Sequence, residues 1–308
     1  MRNRMWKYYV LRLAYLLLGR LPLRVLYGIA HFVGDGAFLF RRNARRAVIA
    51  NMRQVMGPDA PAREVRRAAR EVFRNATRYY ADLVHIPRLD AERFLREQLD
   101  IEGLEYLEQA VRSGRGAVLV SAHFGSPEMA VQGVARAGAG YNVLGLTEPI
   151  EPQALSDFTH WLRSRHGHEY RTVSFGAIKE AIRRLRRGGL VALLLDRDVQ
   201  GTGVPMPLCG AETRMPLGAI NLALRTNAYL IPSWAWRIDG YRFRVCIGPP
   251  LELIRTGDFE HDVRANAQRF LALFEGYLRA DPGQWAVLEP IWNGKKKREP
   301  AAPSGALQ

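Results

Sequence analysis

From about Ile101 onward the chain alternates short β-rich runs with segments of helical spacing, and this constrains the fold more than any other feature. The β-rich runs are "GAVLVS", "YNVLGLT", "EYRTVS", "GLVALLLD", "AYLIPSWAW" and "YRFRVCIG". Between them, "PEMAVQGVARAG", "EPQALSDFTHWLRSRH", "FGAIKEAIRRLRRG" and "MPLGAINLALRTN" carry helical spacing. Such alternation builds a mostly parallel central sheet flanked by helices, so the expected class is α/β. The last two runs join through "IDG", which reads as a hairpin and hence an antiparallel edge. A long helix over about 258–278 follows.

The first part of the chain differs. Residues 1–100 read as helices, in "LRVLYGIAHFVGDGAFLF", "ARRAVIANMRQVM" and "AREVRRAAREVFRNATRYYADLV". "DAPAR" marks a helix start, with Pro61 suited to the first turn. Three regions follow: an amphipathic helical region over 1–100, an α/β core over 101–294, and a basic, small-residue tail over 295–308 expected to be disordered. No internal repeat is visible.

Charge narrows the partners. The chain has 45 Lys+Arg against 30 Asp+Glu, a net charge of +15. Such an excess suits an anionic partner, either nucleic acid or an anionic membrane surface. In 1–50, Arg2, Arg4, Lys7, Arg12, Arg20, Arg24, Arg41, Arg42, Arg45 and Arg46 face Asp35 as the lone acid. The longest uncharged stretch before Arg20 is Leu13 to Gly19, far short of the ~20 apolar residues a membrane span needs. A secretory signal is not expected either, because the apolar region is broken and no small-residue cleavage site follows. Arginines beside Trp6, Tyr8, Tyr9, Tyr15 and several leucines fit helices lying in an interface, each cation adding roughly 1 kcal/mol near an anionic leaflet. The same pattern is open to a helix packed on its own domain with arginines in water. No nucleic-acid-binding motif accompanies the charge, so nucleic acid is not expected as a partner. Cys209 and Cys246 lack CxxC spacing, which leaves no readable disulfide framework or zinc knuckle.

In open α/β sheets, chemistry collects at the carboxyl ends of strands. His123 falls just past "GAVLVSA", and Ser126-Pro127 reads as a helix start, with Ser126 the N-cap and Pro127 the first helical residue. Glu128 then lies in the first turn, where the helix dipole favours an anion. A sharp turn at Gly125 would bring His123 and Glu128 together as a general base and its orienting carboxylate. A surface histidine and an ordinary N-terminal glutamate fit the same spacing. Asp196, Arg197 and Asp198 follow another apolar run, with Arg197 placed to neutralise the two carboxylates or to hold a phosphate or carboxylate. A structural salt-bridge cluster is the alternative. Arg214 precedes Met215-Pro216, read as a helix start and so as an anion site. Arg163 and Arg165 are equally ambiguous. His166 and His168 have no third metal ligand placed by spacing, so no metal is expected. P-loop, GxGxxG and GxSxG motifs are absent from the sequence.

Taken together, "HFGSPE", "RRNARRAVIANMRQVMG", "LLLDRDVQGTGVPMPLCG" and "TRMPLGAINLALRTNAYLIP" resemble the bacterial lipid A biosynthesis acyltransferase family, which is lysophospholipid-acyltransferase-like. The likeness runs from about Leu23 to Trp292, and "DRD" with "RMPLG" is closer to its phosphatidylinositol mannoside branch. One departure is Ser126-Pro127, where the family would have "HFGNWE".

The resemblance implies O-acyl transfer from acyl-CoA or acyl carrier protein to a hydroxyl of a glycolipid such as a phosphatidylinositol mannoside, or of a lipid A precursor. It implies His123 as base with Glu128 orienting it, and no covalent acyl-enzyme. Arg165, Arg197 and Arg214, with Asp196 and Asp198, would bind substrate. Neither metal nor cofactor is implied beyond the acyl donor. The location implied is the cytoplasmic face of the plasma (inner) membrane, against anionic lipids. A non-catalytic anionic-lipid or nucleic-acid binding protein is the reading from charge alone.

Overall fold

The strand β2 (Ala117–Ser121) is buried at every residue and sorts its side chains by period two. Val118 and Val120 enter one hydrophobic core, while Ala117 and Leu119 enter another on the opposite face. A strand buried on both faces must sit inside a covered sheet, and it does. The computed structural model describes residues 4–137 and 141–292.

The chain opens with helices α1 (Met5–Leu18), α2 (Leu23–Phe40), α3 (Arg42–Met56), α4 (Ala62–His85) and α5 (Ala91–Gln98). Then come β1 (Leu99–Glu102), α6 (Leu104–Arg112), β2, α7 (Pro127–Ala137), β3 (Val143–Thr147), α8 (Gln153–Arg163), β4 (Glu169–Thr172), α9 (Phe175–Arg186) and β5 (Leu190–Leu194). A hairpin of β6 (Val204–Leu208) and β7 (Ala211–Met215) leads into α10 (Gly218–Thr226), β8 (Tyr229–Arg237), β9 (Phe243–Ile247) and α11 (Phe259–Ala280).

The main sheet has the order β1-β9-β8-β2-β5-β3-β4. Every neighbouring pair is parallel except β8 with β9. The α/β class therefore holds, with two corrections at the margin. β9 is not the edge strand, because β1 pairs with it in parallel, Leu99 opposite Phe243. The helix expected from Met215-Pro216 is also displaced: Met215 closes β7, and α10 begins at Gly218.

Helices cover both faces. α6 and α7 supply Leu107, Ala110, Ala130 and Val134 to one core. On the other face α9, α10 and α11 join α3 and α4, so the N-terminal helices share the sheet's principal core. Trp234 of β8 stacks on Phe270 and Phe274 of α11, each at 5.5 Å, which locks sheet to helix. α2 lies along α4, with Leu26, Tyr27, Ala30 and Phe38 buried. Asp35 of α2 accepts from Arg70 and Arg74 of α4, and these two guanidiniums hold its carboxyl well below the usual range. The basic tail over 295–308 lies outside the described residues.

Candidate active site

His123 follows the carboxyl end of β2 on a turn that only glycine can complete. Gly125 has φ +63°, and a Cβ there would sit 1.6 Å from the carbonyl oxygen of Ala235 in β8. The turn presents the His123 ring, about a quarter exposed (28%), to a cavity of about 1230 Å³. Nδ1 of His123 lies 2.9 Å from Oδ1 of Asp196, just past β5. β2 and β5 are parallel neighbours, with Ser121 opposite Leu194, so their carboxyl ends deliver the two side chains to one place. Oδ2 of Asp196 accepts from the indole Nε1–H of Trp285 at 2.8 Å. Burial pushes the Asp196 pKa upward. His123, the indole donor and Arg197 outweigh it, and the carboxyl stays below its ordinary value. An ionised carboxylate on Nδ1 fixes the tautomer with the proton on Nδ1 and leaves Nε2 to accept a proton.

Glu128 does not provide that carboxylate. Its position in the first turn of α7 turns its side chain to the cavity wall formed by α4, α8 and β4. There Oε1 lies 2.8 Å from Nη2 of Arg163 and accepts from Tyr79 Oη at 3.2 Å, while Oε2 accepts from Tyr170 Oη at 3.4 Å. Arg163 also donates to Tyr79 Oη. Glu128 and Arg163 are both buried, at 7% and 6% exposure. Burial disfavours the Arg163 charge, but Glu128, Tyr79 and Tyr170 together outweigh it and raise its pKa above the usual value. Ser126 stands at the expected N-cap position, its carbonyl accepting from the amide of Ala130 at 3.1 Å, while its hydroxyl donates to Asp82 at 2.6 Å. Asp82 is fully buried and paired with Arg237, so Ser126 ties the histidine turn to α4 and β8. Pro127 does open the helix.

Of the expected substrate-binding residues, Arg197 lines the cavity, held at 2.8 Å by Glu289. The others do not line it. Asp196 stands behind His123. Arg165 is exposed and lies over Trp161, its guanidinium carbon 5.1 Å from the ring centre; the arginine in the cavity wall is Arg163, two residues earlier. Arg214 belongs to strand β7, not to a helix start, and pairs with Asp198 at 3.4 Å, bracing the hairpin. His166 bonds to the carbonyl of Ile86, and His168 accepts from the amide of Val143. Tyr79, Tyr170, Trp285 and Glu289 escaped sequence reasoning because nothing local marks them. Arg163 had a signal: Ser156, Thr159, Leu162 and Arg163 form the buried face of α8 at helical spacing.

The cavity couples a histidine–carboxylate pair to walls rich in Leu, Val, Ile and Tyr, among them Leu11 of α1 and Tyr80 and Leu83 of α4. Among known families, the model described as bacterial lipid A biosynthesis acyltransferase matches residues 2–294. The chain belongs to this family. It is an acyltransferase of lipid biosynthesis, as the motifs implied. A phosphatidylinositol mannoside acyltransferase of Mycobacterium tuberculosis (strain CDC 1551 / Oshkosh) is 31% identical over 220 residues, covering 70% of this chain and 67% of that protein. One of the same name from Mycolicibacterium smegmatis (strain ATCC 700084 / mc(2)155) is 30% identical over 264 residues, covering 84% and 83%.

Proposed function

We propose that this acyltransferase moves a fatty acyl group from an acyl thioester, acyl-CoA or acyl carrier protein, to a hydroxyl of a phosphatidylinositol mannoside or similar glycolipid at a membrane surface. The pairing of His123 Nδ1 with buried Asp196 at the cavity wall carries the reading. Nε2 of His123 removes the proton from the acceptor hydroxyl as its oxygen attacks the thioester carbonyl carbon. The C–O bond forms, and the negative charge moves to the carbonyl oxygen. Collapse of this intermediate breaks the C–S bond, and the imidazolium returns the proton to the departing sulfur. Asp196 stabilises the imidazolium between these steps. Arg197, which shares the cavity wall with Arg41, Arg163, Arg225 and Arg264, is the arginine next to Asp196 and offers its guanidinium to a substrate phosphate. Glu128 serves the wall through Arg163, not the proton transfer.

Two features support a membrane surface as the place of reaction. α1 and α2 expose Trp6, Tyr9, Leu13, Leu17, Phe32 and Phe40, the last two at 82% and 83%. α2 is long and apolar enough to cross a membrane, yet its Leu23, Leu26, Tyr27, Ala30 and Phe38 pack inward. A helix with one face on the protein and the other apolar and open suits an interfacial position. Leu11 of α1 lines the cavity, so the reaction space extends to the helix that carries part of this face. The relatives' names supply the acceptor class. The test compares lipid masses in a deletion strain and its complemented counterpart. Loss of one acyl chain from a mannosylated phosphoinositide supports the reading; an unchanged set of these lipids, with the mass change in another glycolipid, refutes the acceptor.

A further inference from the structure

The segment after α11 holds the His123 turn at two points and Asp196 at a third. The amide of Gly125 donates to the carbonyl of Gln284 at 2.9 Å, and the amide of Ala286 donates to the carbonyl of His123 at 2.8 Å. Between these residues, Trp285 sends its indole N–H to Asp196 Oδ2 at 2.8 Å. One tripeptide therefore grips the main chain of the histidine turn and the carboxylate that holds the histidine ring. Trp285 is fully buried and packs edge-on against Phe274 at 6.0 Å and Trp292 at 5.9 Å, so its own rotamer is fixed. The segment is anchored in turn. Asn75 of α4 donates to the carbonyl of Gly283 at 2.7 Å; Asn51 of α3 donates to the carbonyl of Glu289 at 2.8 Å and accepts from the amide of Ile291.

Asp196 needs such a holder. A carboxylate that orients a histidine uses one oxygen for the ring, and its second oxygen must be fixed for the orientation to be unique. In this fully buried place an unpartnered oxygen also raises the cost of the charge. Indole is the one side chain that donates a hydrogen bond, accepts none and brings a large apolar surface. Tyrosine or histidine in its place could present an acceptor to the carboxylate.

We propose that Trp285 is a positioning residue for acyl transfer: through its N–H it fixes Asp196, which sets the ring of His123, while Gln284 and Ala286 clasp the turn that carries the ring. The proposal rests on the reading of His123 and Asp196 given above. Trp285→Phe keeps the ring and removes the N–H. With acyl-CoA and a mannosylated phosphoinositide in mixed micelles, kcat is expected to fall about 10-fold or more, the range for losing a hydrogen bond to a charged group. KM for both substrates should stay within about twofold, because Trp285 lies outside the cavity lining.

A double-mutant cycle separates this from general loosening. In an Asp196→Ala background, Trp285→Phe should cause no further loss of kcat, since the group it acts through is gone. The indole proton of Trp285 in the intact protein gives a second readout. Its NMR resonance should lie downfield, as for a donor to a carboxylate, and shift upfield in Asp196→Ala. Wild-type kcat in Trp285→Phe, or an equal loss in both backgrounds, overturns the proposal. If Trp285→Phe does not fold, the indole resonance decides: no upfield shift on Asp196→Ala overturns it. Full activity in His123→Ala and Asp196→Ala would instead refute the reading on which the proposal stands.

Discussion

Glu128 is the motif residue whose place in the structure leads to the most distinctive prediction. Were it the partner of His123, Glu128→Gln would leave folding nearly intact and remove catalysis. The geometry predicts the reverse emphasis. Glu128 and Arg163 are each below a tenth exposed, 2.8 Å apart, with two tyrosine hydroxyls completing the cluster. Removing the charge on one side leaves a buried guanidinium whose Nε and Nη1 already lack hydrogen-bond partners. Breaking a buried pair in this way costs about 3–5 kcal/mol. The amide of Gln keeps one acceptor, so about 3 kcal/mol is the figure to test. For a chain of this size that is a fall in Tm of about 5 °C. Differential scanning fluorimetry at pH 7 measures it, with urea unfolding as the check on free energy. A Glu128→Gln variant with wild-type Tm and greatly reduced kcat would falsify the assignment and restore Glu128 to the histidine. An additional substitution of Arg163 by Met should recover part of the lost stability, because the uncompensated charge goes with it.

Three further outcomes follow from the same structure. Gly125→Ala places a Cβ at positive φ against the Ala235 carbonyl, so it should cost about 2 kcal/mol or more in urea unfolding and reduce turnover; wild-type behaviour would mean that the turn is not required. His168 is buried, and this burial, aided by His166, lowers its pKa from 6.5 to about 4. The unfolded chain thus binds more protons between those values, so stability is complete above about 6.5 and declines as pH falls toward 4, by about 3 kcal/mol in all. His168→Asn should flatten this part of the urea-midpoint profile, and an unchanged slope would refute the assignment. Replacing Phe32 and Phe40 together by Ser should weaken binding to anionic vesicles about 10-fold or more, leaving kcat on detergent-dispersed acceptor unchanged; vesicle binding equal to wild type would exclude this face from docking.

The elements that could be read from the sequence are those whose burial is simplest. β2, β3, β5 and β8 are interior strands with long apolar runs, and their residues announce themselves. β1, "LDIE", is four residues at the edge, with alternate residues exposed, and leaves too little signal. The β6–β7 hairpin is hidden twice. Pro205 and Pro207 argue against a strand, yet both project outward on a ribbon paired on one side only. Its turn uses Cys209 and Gly210, at φ +52° and +78°, where Asn-Gly would have been recognised.

At the site, His123 and Asp196 were legible as strand-end residues, but their pairing was not. Strand ends brought His123 and Asp196 into consideration, because both follow apolar runs. Which carboxylate meets the ring depends on side-chain direction in two turns, and this no spacing rule contains. His123 and Glu128 are near in sequence but diverge at Pro127, whereas β2 and β5 are neighbours only in the sheet. Trp285 lies beyond α11 and reaches Asp196 through packing alone.

The direct test of the account is the acyl-transfer rate of His123→Ala and Asp196→Ala beside wild type, with acyl-CoA and a mannosylated phosphoinositide, once circular dichroism has shown both variants folded. The account predicts a fall in kcat of about 10²–10⁴-fold for His123→Ala, as for loss of a general base, and a large fall for Asp196→Ala with little change in either KM. Wild-type turnover in the folded His123→Ala protein would contradict it.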